Sequence, residues 1–259
     1  MNDIFEKIKI RRVILFYIIA FVLTSVIVQV PMVKTMYATD IKIPEIIIQI
    51  LFLSCFYFSF QKNNVLTKKI LLESIKNINY KKITKMYILS IGMYIAIIIM
   101  YLFKPDKSLL KETSILSLFI TSVVLAPLLE ELIFRGVMLN RLKIKFGVIP
   151  AIYISAFVFA IIHFDNNLLT RFFTGVLCAI IFIETKNFLN CIILHMLNNA
   201  SLFIVLIIVK LIPFSIHTNA NVNEVMQGIA IFFIIAYMII NIVYIKKTFT
   251  KKTAYYKNF

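Results

Sequence analysis

APLLEELIFRG, Ala126 to Gly136, places two adjacent carboxylates and a guanidinium inside a run that is otherwise apolar, with ITSVVL before it and VML after it. Charges at the centre of a membrane helix cost about 2.5–3.5 kcal/mol each even on the lenient insertion scale, so they need partners or a function. On a helix, Glu131 and Arg135 are spaced i, i+4, share one face and can pair. Glu130 is rotated about 100° away and lies off that face. It is left to point into the bundle as a candidate general base. Pro127, just upstream, removes one backbone donor and is expected to kink the helix, admitting water or substrate. Taken alone, the stretch fits a packing network or the cytoplasmic end of a span better than a catalytic site. Its meaning depends on the rest of the chain.

That chain is 259 residues long and 61% hydrophobic, with a mean hydropathy of +0.93. Soluble domains are nearer one-half apolar. The composition therefore reads as a polytopic membrane protein. The net charge of +16 comes from Lys and Arg clustered between hydrophobic runs, without an interleaved basic and aromatic surface. That pattern argues for a lipid bilayer as partner and against nucleic acid. Cys55, Cys178 and Cys191 all lie in apolar segments without CxxC spacing, so they read as small buried side chains. The N-terminal KIKIRRVILFYIIAFVLTSVIVQVP has the basic flank of a signal sequence, but its apolar part is too long and no small-x-small site follows. It reads as a retained first span.

Segments able to cross a ~30 Å hydrocarbon layer occur at 13–33, 43–60, 86–103, 114–142, 148–164, 168–183, 187–212 and 226–245. The expected fold is thus all-α, a polytopic membrane helical bundle of about eight transmembrane helices. No internal repeat divides the chain, and residues 1–259 read as a single membrane domain. Lys and Arg gather at the N-terminus (Lys7, Lys9, Arg11, Arg12), between spans two and three (Lys62 to Lys85), after span four (Arg141, Lys143, Lys145) and at the C-terminus (Lys246 to Lys257). An even number of spans puts all four clusters on one side, so both termini are expected to be cytoplasmic in a multi-pass protein of the cell membrane. Lys104, Lys107 and Lys111 dissent. The basic stretch VLTKKILLESIKNI (65–78) reads either as a helix on the cytoplasmic face or as a solvated linker.

More ionisable residues stand in apolar runs. FVFAIIHF carries Phe159 and His163 at i, i+4, and LHMLNNA carries His195 and Asn199 at the same spacing. One such histidine is commonly a satisfied packing residue. Two of them, together with paired glutamates, argue for a functional site.

EELIFR (130–135), FAIIH (159–163) and HMLNN (195–199) resemble, in order, the motifs EExxxR, FxxxH and HxxxN of the CAAX protease and bacteriocin-processing family, the Abi or type II CAAX prenyl endopeptidase-like group. The resemblance covers about residues 114–205, and Gly136 and Gly175 also look like its pattern. It implies a glutamate-dependent intramembrane endopeptidase acting on a membrane-associated peptide or protein without a covalent intermediate. Under it, Glu130 with His163 activates water, His195 and Asn199 hold the oxyanion, and Glu131, Arg135 and Phe159 support the site. Carboxylate, imidazole and amide suit those tasks. No cofactor is implied. Zinc is the rival reading, with Glu130, His163 and His195 as ligands; the lack of an HExxH sequence favours a site without metal. Ser155 and Ser201 have nothing to activate them, and a Cys191–His195 dyad is a chance spacing. The alternative from another class is a non-catalytic immunity or scaffold protein of the same family.

One geometric tension remains in the sequence. If the fifth span starts near Val148, His163 lies about 22 Å from the cytoplasmic side, whereas His195 is about two turns into its span. The motifs meet only through tilted helices, staggered starts or a re-entrant turn at HFDNN (163–167).

Overall fold

A computed structural model describes residues 8–62, 68–103, 114–163, 168–211 and 220–251. Lys7, Lys104, Lys107, Lys111, residues 164–167, on which the expectation of a re-entrant turn falls, and residues 252–259 lie outside these segments. Among the described residues the protein is all-α. Its helices are α1 (Ile10–Ile27), α2 (Pro31–Thr39), α3 (Ile43–Lys62), α4 (Lys68–Lys76), α5 (Tyr80–Ile88) and α6 (Ile91–Phe103). There follow α7 (Ile115–Phe146), α8 (Val148–Ile161), α9 (Leu168–Thr185), α10 (Phe188–Leu211) and α11 (Ala220–Lys251).

Six of these, α1, α3, α7, α9, α10 and α11, contain stretches long and apolar enough to cross a membrane, and α5 with α6 adds a seventh if the pair, bent by 41°, is one span. The eighth apolar segment of the sequence is α8. It has only 14 residues, about 21 Å at 1.5 Å per residue, which is short of a full crossing. The basic stretch before α5 is helical from Lys68, and Leu72 and Ile75 of α4 are exposed.

The core is built around α9, where every residue from Phe173 to Ile183 is buried. A helix apolar all round is the kind that sits at the centre of a bundle. It packs against α8 on one side and α10 on another, and α6 closes against α11. A second cluster joins Val13 and Ala20 of α1 to Phe52, Phe56 and Phe60 of α3 and to Leu129 and Val137 of α7. The outer helices keep large apolar side chains exposed, among them Phe21, Phe58, Phe232 and Val243. Such belts suit hydrocarbon rather than water, and the chain is a multi-pass membrane protein.

At one end of the bundle, the turn between α9 and α10 is tied to the α4–α5 turn. Asn187 Nδ2 donates to the carbonyls of Ser74 (2.8 Å) and Asn77 (3.0 Å), and Asn79 N donates to Asn190 Oδ1 (3.0 Å). Gly147, with φ of 82°, ends α7 and lets α8 start at once; that left-handed conformation favours glycine.

Candidate active site

Pro127 does not break α7. The helix runs through it, with wider π-helical turns at Ile120–Leu125 and Leu132–Leu139 on either side of the paired glutamates. Such turns recur at functional sites because they free backbone groups and re-aim side chains. Ala126 N reaches back five residues to the carbonyl of Thr121. In that register Pro127 would serve the carbonyl of Ser122, but proline has no N–H. Asn199 of α10 supplies the missing donor, its Nδ2 lying 2.8 Å from Ser122 O. At the second wide turn, Asn140 Nδ2 donates to the carbonyls of Gly136 (2.7 Å) and Arg135 (3.3 Å). The sequence singled out neither Ser122 nor Asn140; the proline inside an apolar run was the available signal for the first.

Glu131 and Arg135 pair as their spacing predicts, Oε1 to Nη1 at 3.0 Å, with both side chains at 1% exposure or less. Arg135 is held further. Its Nη2 donates to Gly175 O at 3.0 Å, and its guanidinium lies 4.8 Å from the centre of the Phe159 ring. Gly175 is needed for this approach. A Cβ there would meet Ala156 Cβ at 3.0 Å and Phe159 Cδ1 at 3.3 Å, so α8 and α9 touch backbone to side chain. Phe159 in turn packs edge-on against His163 and His195, ring centres 4.9 and 5.6 Å apart.

Glu131 also reaches beyond Arg135. The same Oε1 lies 2.8 Å from His195 Nδ1, so the helical-face argument that made Glu131 only an arginine partner undercounts it. His163 Nδ1 lies 2.7 Å from the carbonyl of Phe159. A carbonyl and an arginine-paired carboxylate accept, so each imidazole donates from Nδ1. Both Nε2 atoms then face Glu130. His163 Nε2 is 3.4 Å from its Oε1 and His195 Nε2 is 3.6 Å from its Oε2. Three sequence-distant motifs thus converge on one carboxylate. Glu130 and His163 side chains keep 20% and 17% of their surface, while His195 keeps 3%. The first two are therefore reachable from outside, and the third is held within.

The depth problem in the sequence is met by how the helices are set against one another, because His163 and His195 both reach Glu130 although they lie 15 and seven residues from the starts of α8 and α10. His163 follows the last turn of α8, with its Nε2 3.4 Å from Glu130 Oε1. The competing nucleophiles are occupied. Ser155 Oγ donates to Ile152 O (3.1 Å), Ser201 Oγ to Leu197 O (2.9 Å) and Cys191 Sγ to Phe188 O (2.9 Å). His195 Nδ1 is taken by Glu131, and its Nε2 faces Glu130. Among the described residues, no group of three or more His, Cys, Asp or Glu side chains is arranged as a metal-ligand cluster.

Residues 112–201 match the family model described as type II CAAX prenyl endopeptidase Rce1-like. No curated protein and no solved structure matches the chain. The matched segment contains all three motifs and the whole of the cluster around Glu130, and over that segment the chain is similar to the type II CAAX prenyl endopeptidase family.

Proposed function

We propose that the protein is a metal-independent intramembrane endopeptidase in which Glu130 is the general base. The observation that carries this reading is the convergence of His163 Nε2 and His195 Nε2 on the two oxygens of Glu130. At 3.4 and 3.6 Å these contacts are looser than formed hydrogen bonds, which suits a carboxylate that exchanges partners during a reaction. In the proposed step, a water held between Glu130 and His163 gives one proton to Glu130 while its oxygen bonds to the scissile carbonyl carbon. The carbonyl oxygen becomes an oxyanion. His195, protonated and stabilised through Nδ1 by Glu131, donates to it from Nε2, and the second N–H of the Asn199 amide joins. The C–N bond then breaks, the proton held by Glu130 passes to the leaving nitrogen, and an acid and an amine are released. No covalent enzyme intermediate forms.

Glu131, Arg135 and Phe159 position these groups in this reading. Their burial supports it, because a carboxylate that fixes an imidazole is most effective away from water. The substrate is a membrane-associated peptide or protein, with bacteriocin leaders and other small peptides among the candidates. Both termini are assigned to the cytoplasm. The meeting of Lys81, Lys82 and Lys85 with Lys247 at one end of the bundle supports that assignment, since short basic segments stay inside.

The test is to express the wild type and Glu130→Ala, each at equal level, and to compare peptides released from the membrane fraction. New carboxyl termini made by the wild type and missing in the variant are expected. Equal biological activity of a stably expressed Glu130→Ala protein would instead make this a scaffold or immunity factor.

A further inference from the structure

A cavity of about 600 Å³ opens where the first turn of α5, the end of α9 and the C-terminal part of α11 meet. It is separate from the Glu130 site. Glu184, which lines it, lies nine residues beyond Gly175 on α9, about 13 Å along the axis. Lys81, Lys82, Lys85 and Lys247 line it, and Glu184 is the one carboxylate among its described lining residues. Lys82 pairs with Glu184, so among the described lining residues four cations meet one carboxylate. Lys85 is held to one wall with Nζ 5.1 Å over the Tyr244 ring. Asn79, another lining residue, caps the nine-residue helix α5 by accepting from Lys82 N at 3.0 Å, so the positive end of that helix also meets the cavity.

Ammonium groups from two remote parts of the chain repel one another, and an anion between them removes that penalty. We propose that this cavity binds a phosphate group, and that the phosphate is the headgroup of an anionic membrane lipid. Its level in the bundle favours that source. The lysines stand at the start of the bent α5–α6 pair and near the end of the apolar helix α11, where cationic side chains meet headgroups. Just beyond them toward the bilayer, Ile88 of α5 and Ile240 and Val243 of α11 are exposed at 57%, 53% and 57%, offering surface for acyl chains. A lipid seated there would clamp α5 to α11, beside the clasp that fixes the start of α10.

The experiment uses the full-length protein in nanodiscs of mixed phosphatidylglycerol and phosphatidylcholine, with native mass spectrometry to count retained lipids. Wild type is expected to retain phosphatidylglycerol preferentially. Lys81→Gln with Lys247→Gln is expected to lower that preference roughly fivefold or more, as each lysine near an anionic surface is worth about that factor. Lys34→Gln with Lys145→Gln removes equal charge elsewhere and should leave it unchanged. The readout is a ratio of two lipids within each protein, so an overall loss of stability cancels. No lipid preference in wild type, or equal loss in both double variants, overturns the proposal. A thermal stabilisation by inorganic phosphate in detergent, without any lipid preference, overturns the lipid source. None of these outcomes depends on peptidase activity.

Discussion

His195 Nδ1 lies 2.8 Å from Glu131 Oε1, the oxygen that also takes Arg135. One buried carboxylate therefore fixes an imidazole and neutralises a guanidinium at once. Removing its charge leaves Arg135 buried and unpaired, a change that costs about 3–5 kcal/mol. We predict that Glu131→Gln lowers thermal stability in detergent by that order and abolishes activity. Glu130→Gln, at a partly exposed carboxylate, should leave the unfolding temperature nearly unchanged. Thermal unfolding of the two variants side by side checks this, and equal stability losses would contradict it.

Gly175 is predicted to tolerate no side chain. Overpacking of this kind costs about 1–3 kcal/mol, and Gly175→Ala presses on Ala156 and Phe159, the residue that backs both imidazoles. Stability and activity should fall together. Ala156→Gly in the same protein should restore only part of each, because it removes the 3.0 Å contact with the methyl group and keeps the 3.1 Å contact with the Cα.

The Asn199 amide is predicted to be coupled to Pro127. Leaving a buried carbonyl without a donor costs about 1–3 kcal/mol, and Asn199→Ala does this to the part-buried carbonyl of Ser122, at the lower end of that range. Pro127→Ala supplies a backbone N–H at the position that would serve the same carbonyl. In a double-mutant cycle, the stability cost of Asn199→Ala should shrink in the Pro127→Ala background. Activity should stay low in both, since the proposed oxyanion donor is gone. Additive costs would contradict the register assigned to this turn.

These couplings mark what the sequence does and does not carry. Glu131 and Arg135 were legible because i, i+4 spacing is a property of one helix, and the apolar segments were legible because hydrophobic length is local. The match of Asn199 to Ser122 was not, since it depends on a π-helical turn that no periodicity announces. Nor was the second partner of Glu131. A helical wheel places residues on faces but does not say that an imidazole from α10 arrives between two of them. The short length of α8 as a helix was not legible for a related reason. Hydropathy measures how apolar a segment is, while the depth at which His163 must stop is set by the partners it meets. Basic residues at 81, 82, 85 and 247 were read only as a topological signal; folding gathers them around one cavity.

Metal removal separates the proposed chemistry from its rival. Protein treated with a strong chelator and then desalted is predicted to keep full activity, measured as peptide release from membranes. Loss of activity that returns on adding zinc would make Glu130, His163 and His195 ligands instead of base and donors.

The central claim is that Glu130 removes the proton from water. Its most direct test is the appearance of new peptide carboxyl termini in membranes, quantified by mass spectrometry, for wild type and for Glu130→Gln at matched expression and matched unfolding temperature. General-base catalysis contributes about 100- to 10,000-fold, and product formation by the folded variant is predicted to fall by that factor. Undiminished product formation by folded Glu130→Gln would contradict the account.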